Sequence, residues 1–115
     1  MEEDHMKLFT KTQRAKLMRN AQAQDGTRDF VPVVKLFTPW GGATWLLSEL
    51  DEHGVAFGLC DLGLGSPELG YVAIDDIEAI RGPFGLRVER ERYTTLDKPL
   101  TEYADEARRE GRICA

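Results

Sequence analysis

The chain is 115 residues long, 42% hydrophobic, and carries a formal net charge of −5, a balance that fits one domain with an ordinary core and excludes a disordered chain. It has no apolar run long enough to cross a bilayer, and Met1 to His5 is polar and acidic where a secretory signal needs a basic start; a soluble, cytoplasmic protein without membrane contact is expected. The acid excess argues against direct duplex DNA binding, which needs enough cations to displace counterions from several phosphates.

Thr10 and Gln13 have capping-box spacing, which predicts a helix from there to about Gln24. Its thin apolar stripe, Leu17, Met18 and Ala21 with Ala15 at the margin, is interrupted by Arg14. That guanidinium either reaches water over a buried stem or forms an ion pair with Asp61 or Glu68, tying the helix to the sheet. Asp25-Gly26-Thr27 breaks the helix, and residues 31–37 read as a strand with Pro32 near its start.

After the loop Thr38-Pro39-Trp40-Gly41-Gly42, residues 43–50 and 55–61 read as a hairpin around Asp51-Glu52-His53-Gly54. Trp45 then stands opposite Cys60 and Leu47 opposite Gly58. Regular alternation puts Leu46, Leu50, Val55, Phe57 and Leu59 on one face, and Trp45, Leu47, Ala56, Gly58 and Cys60 with Glu49 on the other. Both faces are apolar, so helices, loops or a second subunit must cover them. A homodimer is one way to do so.

The glycine-punctuated loop from Leu62 to Gly70 leads to a strand over residues 71–74. Asp75 is expected to cap a short helix over residues 76–81, with Glu78 at the capping-box position and Gly82 as the stop. Residues 87–93 alternate as an edge strand. Pro99 opens a last helix to about Glu110, with Leu100, Tyr103, Ala104 and Ala107 on one side, an Asp105–Arg109 pair, and Gly111 as its end. The expected fold is α+β, a mainly antiparallel sheet of about four to five strands with an N-terminal, a short middle and a C-terminal helix. It forms a single domain over residues 6–115, with residues 1–5 a disordered extension.

Charge is segregated along this order. From Leu36 to Ile80 there is no lysine or arginine, yet Glu49, Asp51, Glu52, Asp61, Glu68, Asp75, Asp76 and Glu78 all fall there. Such a surface attracts cations or a basic protein partner. Gly63-x-Gly65 lacks the third glycine and the following helix of a dinucleotide site, and Gly65 to Gly70 has Walker spacing with Tyr71-Val72 where lysine and a hydroxyl belong. No cofactor is expected. Ser48 and Ser66 lack a nucleophile-elbow context, and neither His5 nor His53 is placed to serve a triad. Cys60 and Cys114 form no C-x-x-C pair, so Cys60 reads as a reduced core residue.

Asp61 ends a strand and Glu68 lies in the loop that follows, so the two can converge on magnesium or calcium, with Glu49 too distant to join them. Carboxylates beside turns more commonly cap N–H groups or pair with basic side chains, and no metal is expected. Trp40, flanked by Pro39 and Gly41, is the strongest single contact residue, unless it folds back as a lid on the core. With Asp61, Glu68 and Tyr71 it makes up the candidate partner-binding set.

Met6-Lys7-Leu8-Phe9-Thr10-Lys11-Thr12-Gln13, Val33-Val34-Lys35-Leu36-Phe37-Thr38-Pro39, Ala43-Thr44-Trp45-Leu46-Leu47, Ala56-Phe57-Gly58-Leu59-Cys60-Asp61-Leu62-Gly63 and Pro67-Glu68-Leu69-Gly70-Tyr71 resemble an uncharacterised bacterial domain-of-unknown-function family. That family is carried largely on conjugative plasmids and integrative elements, often near antirestriction and DNA-processing genes. The likeness runs from Met6 to Ile113 and brings no established activity and no catalytic residues. With the acidic middle, it implies a non-enzymatic interaction protein of mobile DNA that engages a basic host or element-encoded partner, an antirestriction DNA mimic being a special case. The alternative is a divalent-metal enzyme using Asp61 and Glu68.

Overall fold

A computed structural model describes residues 8–23 and 29–115; the expectations for Met1 to His5, Gln24 and the break at Asp25 to Thr27 lie outside the described residues. Thr10 starts α1 (Lys11–Gln22) with a full capping box. Its hydroxyl accepts the Gln13 N–H at 3.1 Å while the Gln13 side chain accepts the Thr10 N–H at 2.8 Å. The remaining elements are β1 (Val34–Phe37), β2 (Thr44–Leu50), β3 (Val55–Asp61), β4 (Glu68–Ala73), α2 (Ile74–Ala79), β5 (Glu89–Arg90) and α3 (Leu100–Glu110). The strands form one antiparallel sheet in the order β4-β3-β2-β1-β5, so the fold is the expected α+β arrangement.

The hairpin has the register that its turn implies, Trp45 opposite Cys60 and Leu47 opposite Gly58. The turn itself is held by Asp51, whose carboxylate accepts the N–H groups of Val55 and His53. The Val55 bond above all keeps that carboxyl below the ordinary aspartate range. Regular alternation fails at Ser48, where a β-bulge shifts the register so that Glu49 faces Phe57 and Leu50 faces Ala56. Leu50 therefore joins the cluster of Leu17, Trp45, Leu47 and Ala56, and Glu49 changes to the face of Phe57. Asn20 of α1 fixes the bulge by donating to the Ser48 carbonyl at 2.9 Å.

Both faces are covered from within the chain. On one, Leu17 of α1 and Ile74 and Ile77 of α2 pack with Leu8, Phe9, Leu36 and Val88. On the other, Leu100, Tyr103, Ala104 and Ala107 of α3 pack with Leu46, Leu59 and Ile113. The result is a three-layer unit with the sheet in the middle. No helix among the described residues is long and apolar enough to cross a membrane.

Five local expectations are corrected. The first strand begins at Val34 rather than Val31, because the preceding segment serves α3: Phe30 accepts the Leu100 N–H, and Asp29 accepts the backbone N–H and hydroxyl of Thr101. Strand β4 starts at Glu68 and runs straight into α2, since the Ile74 N–H still bonds to Gly54 across the sheet at 2.9 Å. The α2 N-cap is accordingly Ala73 with no side-chain bond, and Asp75 and Asp76 lie in the first turn, where the helix dipole favours them. The edge strand shrinks to Glu89–Arg90, because the Glu91 carboxylate accepts the Tyr93 N–H at 2.9 Å and turns the chain away. Finally, Asp105 pairs with Arg108 at 3.1 Å rather than with Arg109.

Candidate interaction surface

Asp61 sits on the face covered by α3. It is 2% exposed, and its two oxygens accept the backbone N–H groups of Gly63 and Ile113, each at 2.9 Å. Lys35, on the same face, donates to the Ala115 carbonyl. These two charged side chains thus hold the segment after α3 across the sheet. Glu68 pairs in register with Cys60, so alternation places it on the opposite face from Asp61, exposed to solvent. The two carboxylates do not share a site, and no group of three or more His, Cys, Asp or Glu among the described residues is arranged to hold a metal. Arg14 is half-buried on α1, whose Leu17 packs on the face away from Asp61.

Trp40 comes from the tight β1–β2 turn, where Thr38 and Ala43 exchange backbone and hydroxyl hydrogen bonds. Its indole lies directly on Gly82: a Cβ built there would be 2.3 Å from a ring carbon. Only glycine permits that approach. The braced segment is a small loop, closed by the Gly82 N–H donating to the Leu86 carbonyl at 2.8 Å and the Leu86 N–H to Pro83 at 3.1 Å. At its apex stands Phe84, 103% exposed, with φ 58 and ψ 26. It is the non-glycine residue at positive φ among the described residues. A bulky residue there costs about 1 to 2 kcal/mol of backbone strain.

The neighbouring chain extends this end of the sheet. Gly42, two residues from Trp40, touches Gly63, which lies between Leu62 and Leu64, 61% and 80% exposed. On the other side of Phe84, Arg81 and Arg87 each donate to the Glu78 carbonyl at 2.7 Å, satisfying the end of α2. Both arginines border an open cavity of about 440 Å³ that Asp75 and Glu78 line as well, with Leu8 and Val88, so its charges are mixed. Sequence reasoning passed over Phe84. Its signal was available in Gly82-Pro83-Phe84-Gly85, an aromatic inside turn residues, where nothing local can bury it.

Tyr71 is 71% exposed on β4, its ring 4.9 Å from that of Phe57. His53 is at the hairpin tip, 3.5 Å from Glu52. Cys60 is half-buried, and burial pushes its thiol up to about 11, whereas Cys114 is exposed. Thiolate is the reactive form. An aromatic disulfide reagent at pH 8 should therefore titrate Cys114 promptly in the folded protein and Cys60 only after denaturant is added; simultaneous release from both would contradict this burial.

The model of a family described as "Protein of unknown function (DUF2958)" matches residues 8–114, and the chain belongs to that family. Comparison with curated proteins and with solved structures gives no match.

Proposed function

For this DUF2958 member we propose a non-enzymatic protein-interaction module whose main contact is the Phe84 loop. On a mobile element, where the resemblance points, the partner is a host or element-encoded protein, antirestriction being one such role. What carries the reading is the fully exposed phenylalanine kept at positive φ. Strain of that kind persists when surrounding structure enforces it, and it gathers at functional positions. Here Trp40 on Gly82 and the Gly82–Leu86 bond do the enforcing. The metal-enzyme alternative has less support, because Asp61 is occupied by two backbone donors and Glu68 is on the other face.

Phe84→Gly tests the proposal in two ways at once. It should raise stability by about 1 kcal/mol by relieving the strained backbone, while abolishing contact. A photo-crosslinking phenylalanine analogue at position 84 should capture a discrete protein from host lysate, and the same analogue at exposed position 93 should not. Excess unlabelled wild type should compete and Phe84→Gly should not. Equal labelling from both positions, or undiminished competition by Phe84→Gly, would show that this loop is not the contact.

A further inference from the structure

Strand β4 is an outer strand of the sheet, and its free edge is unlike the other. Strand β5, at the opposite edge, consists of Glu89 and Arg90 alone, short and charged as edges that resist pairing usually are. Strand β4 spans six residues, and from Leu69 to Ala73 it contains no charge, proline or bulge. The Ile74 N–H bonds to Gly54, so alternation turns the backbone groups of Glu68, Gly70 and Val72 towards β3 and those of Leu69 and Tyr71 outward. Among the described residues, Leu69 and Tyr71 make no outward backbone hydrogen bond.

We infer that this edge receives an extended strand from a basic protein. The charges decide the occupant. Glu68 stands at the start of β4, and Asp76 follows its end, both exposed. Glu68, Gly70 and Val72 share one face, and a Cβ at Gly70 would meet nothing within 4 Å, so the space between the acidic ends is open. A second copy pairing antiparallel about Tyr71 would bring its own Glu68 towards Asp76, acid against acid at both ends. An incoming strand with a lysine or arginine near each end, roughly 20 Å apart over six residues, instead meets opposite charge at both, with uncharged residues between. Tyr71 and Phe57 offer it an aromatic surface on the other face. Backbone bonds to Leu69 and Tyr71 then supply affinity, and the acidic ends select the partner.

The probe is a seven-residue peptide with lysine at both ends and alternating threonine and valine between them, which sets the lysines about 20 Å apart, compared with its glutamate-ended twin. Followed by NMR at low salt on the whole chain, the lysine peptide should shift and protect the Leu69 and Tyr71 amides, and the glutamate twin should not. The double variant Glu68→Gln, Asp76→Asn should weaken binding roughly five- to tenfold, as expected for two exposed ion pairs. Equal binding of the two peptides, failure of the lysine peptide to bind, or protection of Leu69 and Tyr71 that rises with protein concentration alone would each overturn the inference, the last by making a second copy the occupant. The Phe84 variants change no residue of β4 or of its acidic ends, so either proposal can fail while the other stands.

Discussion

Gly58→Ala is expected to destabilise the protein by about 3 kcal/mol or more, lowering the melting temperature by at least about 10 °C. A Cβ at Gly58 would lie 2.0 Å from the Leu46 carbonyl oxygen and 2.9 Å from both the Leu46 carbonyl carbon and the Leu47 Cα. All three are backbone atoms, so no rotamer change relieves the overlap. Leu47, the register partner of Gly58, immediately precedes the bulge at Ser48. Separating β2 from β3 would disturb Leu46, Leu47 and Leu59, which anchor the clusters on both faces. Against a total stability of ~5 to 15 kcal/mol the loss is a large share. Gly70, its register partner, supplies the control. With open space around it, Gly70→Ala should leave stability unchanged or raise it by up to about 1 kcal/mol. Comparable losses in the two variants would mean that general strand softening, rather than the overlap with Leu46 and Leu47, explains the glycine.

That pair of glycines marks where the sequence was readable. Turn chemistry at Asp51 to Gly54 set the hairpin register, and the capping box at Thr10 set the start of α1, because each signal is local. The bulge was invisible: nothing in Ser48-Glu49 declares an extra residue, and it depends on Asn20 reaching from another element. Without it, Leu50 and Glu49 were placed on the wrong faces. The cap of α3 was hidden for the same reason, since Asp29 arrives from before β1. For the contact residues, Tyr71 was legible as an exposed aromatic on an edge strand. Trp40 was singled out for its glycine neighbours, yet the glycine that matters is Gly82, distant in sequence. Phe84 was missed because hydrophobic periodicity scores a phenylalanine as core, and only its enclosure by turn residues says otherwise.

Asp61→Ala should cost roughly 3 kcal/mol, because it strands two backbone donors at once. Each of the Gly63 and Ile113 N–H groups points at a separate oxygen of a side chain that is 2% exposed; the Ile113 bond is buried, and a buried donor left without an acceptor costs about 1 to 3 kcal/mol, while the part-buried Gly63 N–H adds less. Asp61→Asn offers one oxygen and sets an NH₂ group against the other donor, so it too should lose most of that stabilisation. The consequence is regional. With the Ile113 bond gone, the segment after Gly111 keeps the Lys35 bond to Ala115 and the packing of Ala115, and Ile113 leaves the cluster formed by Leu46, Leu59 and α3. Hydrogen exchange should accelerate at Ile113 and Gly63 far more than at Leu47 in the centre of β2. Glu68→Gln, at an exposed position, should change stability by less than about 0.5 kcal/mol. A metal site at Asp61 makes the opposite forecast: Asp61→Asn would keep its melting temperature, and millimolar magnesium would raise that of the wild type alone. A carboxylate that is 2% exposed and already binds a backbone N–H at each oxygen is poorly open to an ion, and the melting curves with and without magnesium decide between the two.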